Sequence, residues 1–290
     1  MAAVAQKNDE PYLNVSSYKF TKLEKLQELK VKLKNHALGT GIKGTILISD
    51  EGVNLFLSGL PENVHAYNDF LADKTPIGRM EFKESFSSSR PFKRTLVRIK
   101  KEIISMGMPE IKPELEPAPR ISVEEFKNWL DVRKEGKKDF VVLDTRNDYE
   151  LKIGKFNDSV DLDINTFRTF PEALNKIEDL KDKTIVTLCT GGIRCEKAAP
   201  LMQKEGFKDV YQLDGGILKY FEENGSKHYD GECFVFDQRV AVDGNLHETK
   251  TEQCFACRTP LTLEEQSSSK YKIEEYCPHC YDKNGIKQES

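Results

Sequence analysis

The stretch Thr184-Ile-Val-Thr-Leu-Cys-Thr-Gly-Gly-Ile-Arg194 decides the central fold of this chain. Its apolar first half, like the run Phe140-Val-Val-Leu-Asp144, is typical of a strand buried on both faces of a parallel sheet. We expect a helix from about Cys195 to Glu205 to follow. Cys189 therefore stands where a strand ends and a helix begins, the edge at which open parallel sheets place their chemistry. The pattern predicts an α/β domain with a reactive thiol at that edge.

The loop after Cys189 is suited to holding a negative charge. Gly191 and Gly192 allow the backbone to curl so that several N–H groups point inward, and the following helix adds its positive N-terminal end. A thiol in such a loop is partly ionised near neutral pH, as a sulfur nucleophile must be. Arg194 adds positive charge or holds an anionic group. The alternative is that Cys189 is a small buried side chain at the end of a strand.

Cys195 lies six residues beyond Cys189, in the first turn of the predicted helix. Two interpretations stay open for it: a relaying thiol that takes part in turnover, or a side chain that packs against the loop.

Composition limits the class of protein. With 290 residues we expect two or three domains. Acidic and basic residues nearly cancel, giving a net charge of −4, so any contact with nucleic acid must come from a local patch. We find no stretch with the character of a signal peptide or a membrane span and expect a cytoplasmic protein. In that reducing compartment, seven cysteines favour catalysis or metal binding over disulfides.

Composition shifts divide the chain. Residues 12–104 alternate short strands and helices in the order βαββαβ, which predicts a ferredoxin-like α+β sandwich. A proline-rich, acidic stretch then has the composition of a linker. We expect a flexible tail at 1–10, the ferredoxin-like (acylphosphatase-like) domain at 11–104, a linker at 105–120, a parallel-sheet α/β domain at 121–226 and a cysteine-rich module at 227–290.

Two Cys-x2-Cys pairs, Cys254/Cys257 and Cys277/Cys280, are separated by nineteen residues. Each pair directs two sulfurs to one side of a tight turn, and four thiolates match a structural zinc site. The competing interpretation is a set of redox thiol pairs. We expect Cys233, among apolar neighbours, to be a buried structural thiol.

The most basic stretch runs from Arg90 to Lys101. We predict that its bases form a phosphate-contacting strip on one face of a strand, to which Arg168 is added as a further candidate. The alternative is a solvated sheet face with charge-paired lysines. The candidate RNA-binding residues are Lys93, Arg94, Arg98, Lys100 and Arg168.

The central region resembles a rhodanese domain. Three stretches carry this resemblance: the thiol loop, Leu143-Asp-Thr-Arg-Asn-Asp-Tyr-Glu150 and Leu213-Asp-Gly-Gly-Ile217. The resemblance implies that Cys189 carries a persulfide, that Arg194 closes the loop and that Asp144, Arg146 and Glu150 shape the rim of the site. A structural ion pair between Asp144 and Arg146 is an equal alternative. Tyrosine phosphatases share this fold but need Cys-x5-Arg, and here the arginine comes one residue early, which argues against phosphatase activity.

The whole arrangement resembles the tRNA uridine hydroxylase family. Three stretches carry the likeness: Cys189-Thr-Gly-Gly-Ile-Arg-Cys-Glu-Lys-Ala198, Thr166-Phe-Arg-Thr-Phe-Pro171 and Gly231-Glu-Cys-Phe-Val-Phe-Asp-Gln-Arg-Val240. The resemblance implies oxygen-dependent conversion of a tRNA wobble uridine to 5-hydroxyuridine, with tRNA as partner and molecular oxygen as co-substrate. It implies neither a membrane nor an obligate protein partner.

The residues themselves indicate less than this. Five histidines are scattered without ligand spacing, so no flavin, haem or nucleotide site is evident. Thiolate nucleophilicity leads only to the hypothesis that Cys189 adds to the pyrimidine C6 and makes C5 electron-rich. Two alternatives remain: a sulfurtransferase that carries a persulfide on Cys189, and a non-catalytic RNA-binding adaptor.

Overall fold

The computed structural model describes residues 11–133 and 136–281, so the tail expected at 1–10 lies outside the described residues. The first domain is a five-stranded sheet with two helices on one face. Its elements are β1 (Tyr12–Phe20), α1 (Leu26–Gly39), β2 (Lys43–Ser49), β3 (Gly52–Gly59), α2 (Pro61–Lys74), β4 (Lys83–Ser87) and β5 (Thr95–Ile99).

The strand order of this sheet is β4-β1-β3-β2-β5. A tight hairpin joins β2 to β3 with Ser49 opposite Gly52, and β5 pairs with β2 in parallel. The first four strands and two helices follow the predicted βαββαβ order, and β5 lies at the edge of the sheet next to β2. Alternation along the strands sends Ile46 and Leu55 toward the helices, whereas their neighbours in sequence face away from them. That second, helix-free face forms part of the candidate site.

Helix α1 is amphipathic. It begins at Leu26, and Leu23 packs into the core from the loop before it. Val31 is 57% exposed because it lies off the stripe formed by Leu29, Leu33 and Ala37.

The central domain has a five-stranded sheet in the order β6-β11-β10-β7-β9, with every pair parallel. The parallel sheet predicted from the apolar runs is therefore formed. Its elements are β6 (Arg120–Ile121), α3 (Val123–Arg133), β7 (Val141–Asp144), α4 (Asp148–Leu151), β8 (Gly154–Phe156), β9 (Val160–Asp161), α5 (Phe170–Ala173), β10 (Thr184–Leu188), α6 (Ile193–Lys204), β11 (Asp209–Leu213) and α7 (Gly216–Asn224), with 3-10 turns at Phe167–Thr169 and Leu174–Leu180.

The proline-rich stretch between the two sheets lies against the central domain. Met106, Ile111 and Ala118 are buried in the same apolar cluster as Ala198 and Leu201 of α6. Burying these side chains stabilises one path for a backbone that has little regular hydrogen bonding of its own.

The C-terminal region is built from short antiparallel pairs. Strand β12 (Tyr229–Gly231) pairs with β8 of the central domain, so this region begins as an extension of that domain. Among the described residues, no helix combines the length and the apolar character needed to cross a membrane. The remaining elements are β13 (Cys233–Phe234), β14 (Ala241–Val242), β15 (Glu252–Gln253), β16 (Pro260–Leu261) and α8 (Leu263–Gln266).

Candidate active site

Cys189 directly follows β10, and the loop that starts with it turns into α6. Gly192 sits at the helix N-cap with φ +94°, and its backbone N–H donates a hydrogen bond to Cys189 Sγ over 3.1 Å. A side chain at Gly192 would be strained by this φ and would also meet the Tyr18 hydroxyl at 3.0 Å. Glycine here therefore serves both the inward N–H and the close approach of the first domain.

The motif Leu213–Ile217 supports the loop from behind. The N–H groups of Ile217 and Leu218 at the start of α7 donate to the carbonyls of Cys189 and Thr190, both over 3.0 Å. A Cβ on Gly216 would lie 2.5 Å from the Cys189 carbonyl oxygen, so only glycine allows this approach. The loop is thus clamped between two helix N-termini.

The electrostatics of the loop favour the Cys189 thiolate. Burial by itself raises the pKa of the thiol. The hydrogen bond from Cys195, the charge of Arg194 and the backbone N–H groups of Arg194 and Gly192 outweigh burial and lower the pKa of Cys189 to about 6. For Cys195, burial and the neighbouring thiolate raise the pKa well above its usual value. At neutral pH Cys189 is the anion and Cys195 its proton-bearing neighbour.

Arg194 is held by Glu150. Two guanidinium N–H groups donate to the two carboxylate oxygens over 2.5 and 2.7 Å, and both side chains are almost fully buried. Burial by itself raises the pKa of Glu150, but the charge and hydrogen bonds of Arg194 lower it. Arg194 therefore contributes a fixed positive charge while its hydrogen-bonding fork is engaged by protein, not by an anionic ligand.

Asp144 and Arg146 form the ion pair that was the alternative to a role at the rim. The Arg146 Nη2 group donates to Asp144 Oδ2 over 2.7 Å and to the Gly154 carbonyl over 2.9 Å. Arg146 and Glu150 are 0% exposed and Asp144 is 1% exposed. The expectation of a rim is corrected by this burial, because the three side chains support the loop and strand end from within. Arg146 also ties β8 to this edge.

The thiol loop faces a cavity of about 410 Å³. This lies within the roughly 300–1,000 Å³ range of small-molecule sites. One wall is the central domain, including Gly191, Arg194 and Phe167. The opposite wall is the helix-free face of the first sheet, with Phe236 of the C-terminal region at one side. The first domain contributes Ser16, Ser17, Tyr18, Thr45, Leu47, Asn54, Phe56, Lys83, Lys100 and Glu102 to the lining.

Tyr18 and Lys83 are two polar members of this wall that sequence reasoning missed. The Lys83 ammonium lies 5.2 Å from the centre of the Tyr18 ring and interacts electrostatically with Cys189. Burial lowers the pKa of Lys83, although Glu81, the Cys189 thiolate and Asp214 favour its charge. The only signal in the sequence was the alternation of β1, which places Ser16 and Tyr18 on the face opposite Val15.

Two residues of α6 fasten the first domain to the thiol loop. The Tyr18 hydroxyl donates to Glu196 Oε1 over 2.8 Å. Lys197 is 1% exposed and forms ion pairs of 2.8 Å with both Glu51 and Glu102. The Glu-Lys pair that follows Cys195 in the motif therefore holds the first domain against the start of α6.

The candidate RNA-binding residues do not share one location. Lys93, Arg94, Arg98, Lys100 and Arg168 are all exposed. Lys100 lines the cavity, whereas Lys93 and Arg94 line a separate groove next to it. Arg168 follows Thr166 and Phe167, which line the cavity from the central domain. The structure thus places Lys100 in the wall of the thiol cavity and leaves Arg98 outside both depressions.

The four terminal cysteines converge. The ligand atoms of Cys254, Cys257, Cys277 and Cys280 lie within 4.8 Å of one another, so this cluster can hold a metal ion. Three of the sulfur–sulfur distances within the cluster are 3.5, 3.8 and 3.9 Å. Sulfurs bound tetrahedrally to zinc at about 2.3 Å lie about 3.8 Å apart, so the donor set fits that ion.

Two other residues of the C-terminal region have defined surroundings. His279 accepts or donates a hydrogen bond with Glu265 over 2.5 Å and stands outside the four-cysteine cluster. Cys233 is fully buried in the central core, as expected of a structural thiol.

Fold and site together define a rhodanese-type domain whose thiol loop is covered by an acylphosphatase-like domain. A family model described as UPF0176 acylphosphatase like domain matches residues 12–103, and one described as Rhodanese-like domain matches residues 122–223. The tRNA uridine(34) hydroxylase of Cupriavidus necator is 48% identical over 271 residues, covering 92% of this chain and 96% of that protein. That of Ralstonia nicotianae is 45% identical over 272 residues, covering 93% and 96%. The chain belongs to the tRNA uridine(34) hydroxylase family.

Proposed function

We propose that this protein hydroxylates uridine 34 of tRNA at C5, with Cys189 as the reactive thiol. The observation that carries the proposal is a thiol that accepts an inward backbone N–H and faces a cavity large enough for a nucleobase, in surroundings that lower its pKa. Family membership supplies the substrate and the reaction. We place the activity in the cytoplasm, where tRNA is modified.

The first step is nucleophilic addition. The Cys189 thiolate forms a bond to C6 of the uracil ring, and the C5=C6 electron pair moves toward C5 and O4 as an enolate. The inward N–H of Gly192 and the charge of Arg194 stabilise the thiolate before the step and when it leaves again. Lys83, on the opposite wall of the cavity, is placed to balance the negative charge of the enolate.

The oxidation then takes place at the electron-rich C5. In this proposal molecular oxygen is the oxidant, as the family resemblance implies. One oxygen atom enters at C5 and the other is reduced to water by an external two-electron donor. Loss of the C5 proton and departure of Cys189 from C6 restore the aromatic ring and the free thiolate.

The four-cysteine cluster has a structural part in this proposal. Zinc held by Cys254, Cys257, Cys277 and Cys280 would fix the fold of the C-terminal module, because this region has only short strands and little apolar core of its own. Zinc takes no part in the chemistry at Cys189.

Sulfur transfer is the second candidate function. The observation that favours it is the rhodanese loop itself, whose inward N–H groups would stabilise a terminal persulfide sulfur on Cys189 as readily as a thiolate.

Mass spectrometry of tRNA nucleosides separates the candidates. Cells lacking the protein are compared with cells complemented by wild type or by Cys189→Ser. Loss of 5-hydroxyuridine derivatives, restored only by wild type, supports hydroxylation. Loss of thiolated nucleosides supports sulfur transfer instead. An unchanged nucleoside profile contradicts both and leaves an RNA-binding adaptor.

A further inference from the structure

A groove of about 1020 Å³ lies beside the thiol cavity, between the first domain and the C-terminal module. One side is the stretch Pro91–Arg94 of the first domain. The other side is formed by residues 248–253 and by Arg258, next to the four-cysteine cluster. The floor is the segment from Phe234 to Val240. The groove therefore separates two parts of the chain that the proposed chemistry does not need.

The charge of this groove favours a polyanion. Four exposed cations line it, two on each side: Lys93 and Arg94 face Lys250 and Arg258. Within residues 11–133 and 136–281, no carboxylate forms an ion pair with any of the four.

Three carboxylates also line the groove: Asp237, Glu248 and Glu252. Asp237 is held by Arg239 over 2.6 Å, and Glu252 accepts a hydrogen bond from Tyr271 over 2.8 Å. With Arg239 counted, five cations stand against three carboxylates, and an excess of positive charge is the pattern expected where phosphates supply the missing counter-charge.

The floor is fastened to the first domain. The Gln238 N–H donates to the Pro91 carbonyl over 3.1 Å, and Arg239 Nη1 donates to Ser85 Oγ over 2.8 Å. These contacts fix the floor relative to the wall that carries Lys93 and Arg94. A preformed site of this kind binds with a smaller ordering cost than one assembled from loops.

The groove is connected to the cavity of Cys189. Phe236 and Thr45 line both depressions, and Phe236 is 44% exposed. Its ring packs 6.1 Å from Phe56 and lies 5.7 Å from the Arg194 guanidinium carbon, so its position is defined by the site. An exposed aromatic ring at the junction of a basic groove and a base-sized cavity is suited to stacking on an unpaired base.

We propose that this groove binds the single-stranded nucleotides next to the target uridine, with phosphates between the two rows of cations and a flanking base stacked on Phe236. The target base then turns into the cavity toward Cys189. The inference rests on the proposed function for the identity of the RNA. It also assigns the four-cysteine module a role: its fold holds Arg258 and Lys250 in the wall.

The test measures binding of the full-length protein to a fluorescent anticodon stem-loop RNA over a series of salt concentrations. We expect the double variant Lys250→Glu/Arg258→Glu to weaken binding about tenfold or more, and to reduce the slope of log affinity against log salt by about two. The matched control is Lys34→Glu/Lys74→Glu, which reverses two exposed charges on the helix side of the first domain. It should change affinity less than about twofold.

Phe236 is tested in the same assay. Phe236→Ala should lower affinity by about fivefold or more through lost stacking, and Phe236→Tyr should recover most of that loss. Alkylation of Cys189 by iodoacetamide in the absence of RNA should be the same in the Lys250/Arg258 variant as in wild type, because neither side chain lines the cavity.

Two results distinguish failure of this inference from failure of the proposed function. Unchanged affinity and salt slope in Lys250→Glu/Arg258→Glu, with hydroxylation by wild type intact, overturns the groove and leaves the activity standing. Weakened binding in that variant, with no hydroxylation by wild type, supports the groove and removes the activity.

Discussion

The guanidinium of Arg194 and the carboxylate of Glu150 are joined by two hydrogen bonds inside the protein, with 5% and 0% of their side chains exposed. Since Glu150 takes up the fork, Arg194 cannot turn toward a ligand. It acts on Cys189 through its charge and through its backbone N–H. The pair also links α4 to the start of α6, so the thiol loop and the helix behind it move as one unit.

This pair gives the first prediction. Glu150→Gln leaves the Arg194 charge buried without a counter-ion, and breaking a buried pair in this way costs about 3–5 kcal/mol. We expect the free energy of unfolding, measured by urea denaturation, to fall by that amount. The control is Asp139→Asn, which breaks an exposed pair with Lys183 and should cost far less. Equal losses in the two variants would contradict a structural role for Glu150.

The second prediction concerns the charge that Lys83 adds to the cavity. In wild type the rate of Cys189 alkylation by iodoacetamide should rise with pH and reach half its maximum near pH 6, because the thiolate is the reacting form. Lys83→Met removes a positive charge that favours the thiolate, so the midpoint should move to higher pH by about one pH unit or less. Lys22→Met, at an exposed lysine that pairs with Glu24, is the matched control and should leave the midpoint in place.

Peptide mapping shows whether that profile belongs to Cys189. Burial raises the pKa of Cys233 to about 12, and burial together with the neighbouring thiolate raises the pKa of Cys195. Neither thiol should therefore be alkylated near neutral pH. A Lys83→Met midpoint equal to that of wild type would remove Lys83 from the electrostatics of the site.

The third prediction tests whether the Cys195 thiol reacts during turnover or only donates a hydrogen bond to the Cys189 thiolate. Its thiol is fully buried, does not line the cavity and lies 3.8 Å from the Thr145 hydroxyl. We expect Cys195→Ser to keep turnover within a few-fold of wild type, because a hydroxyl can still donate to the Cys189 thiolate. Cys195→Ala removes the donor and should raise the pKa of Cys189 in the alkylation assay. Complete loss of turnover in Cys195→Ser would instead show that the second sulfur reacts.

Local sequence patterns predicted those parts of the site that are built from residues close together in the sequence. The apolar run before Cys189 predicted a buried parallel strand, and the glycines after it predicted inward N–H groups; both depend on residues within one strand-loop-helix unit. The two Cys-x2-Cys pairs carry their geometry in their own spacing, and they converge.

The opposite wall of the cavity could not be predicted in this way. Tyr18 lies 178 residues before its partner Glu196, and no periodicity within β1 indicates which domain will cover its second face. The sequence also left open whether Asp144 and Arg146 shape the rim or form a structural ion pair, and the structure shows the ion pair. Arg146 and Asp144 follow a strand as surface residues often do, yet Arg146 is among the largest fully buried side chains. Arg146 makes this burial tolerable by donating hydrogen bonds to the Tyr229 hydroxyl and the Gly154 carbonyl, partners that local patterns around Asp144 do not reveal.

The last prediction concerns the metal. The protein purified without chelator should contain one zinc ion per chain by elemental mass spectrometry, and Cys254→Ser should contain markedly less because only three thiolates remain. Cys233→Ala removes a cysteine outside the cluster and should keep the full zinc content.

Removal of the metal is the second part of this test. Since the module is built from short strands, chelation should unfold it, and limited proteolysis near β15 and β16 would detect the unfolding. Alkylation of Cys189 should be unaffected by that treatment, because none of the four ligands lines its cavity. A full zinc content in Cys254→Ser would contradict the four-thiolate site, and a metal-free protein with disulfides between the paired cysteines would favour the redox interpretation.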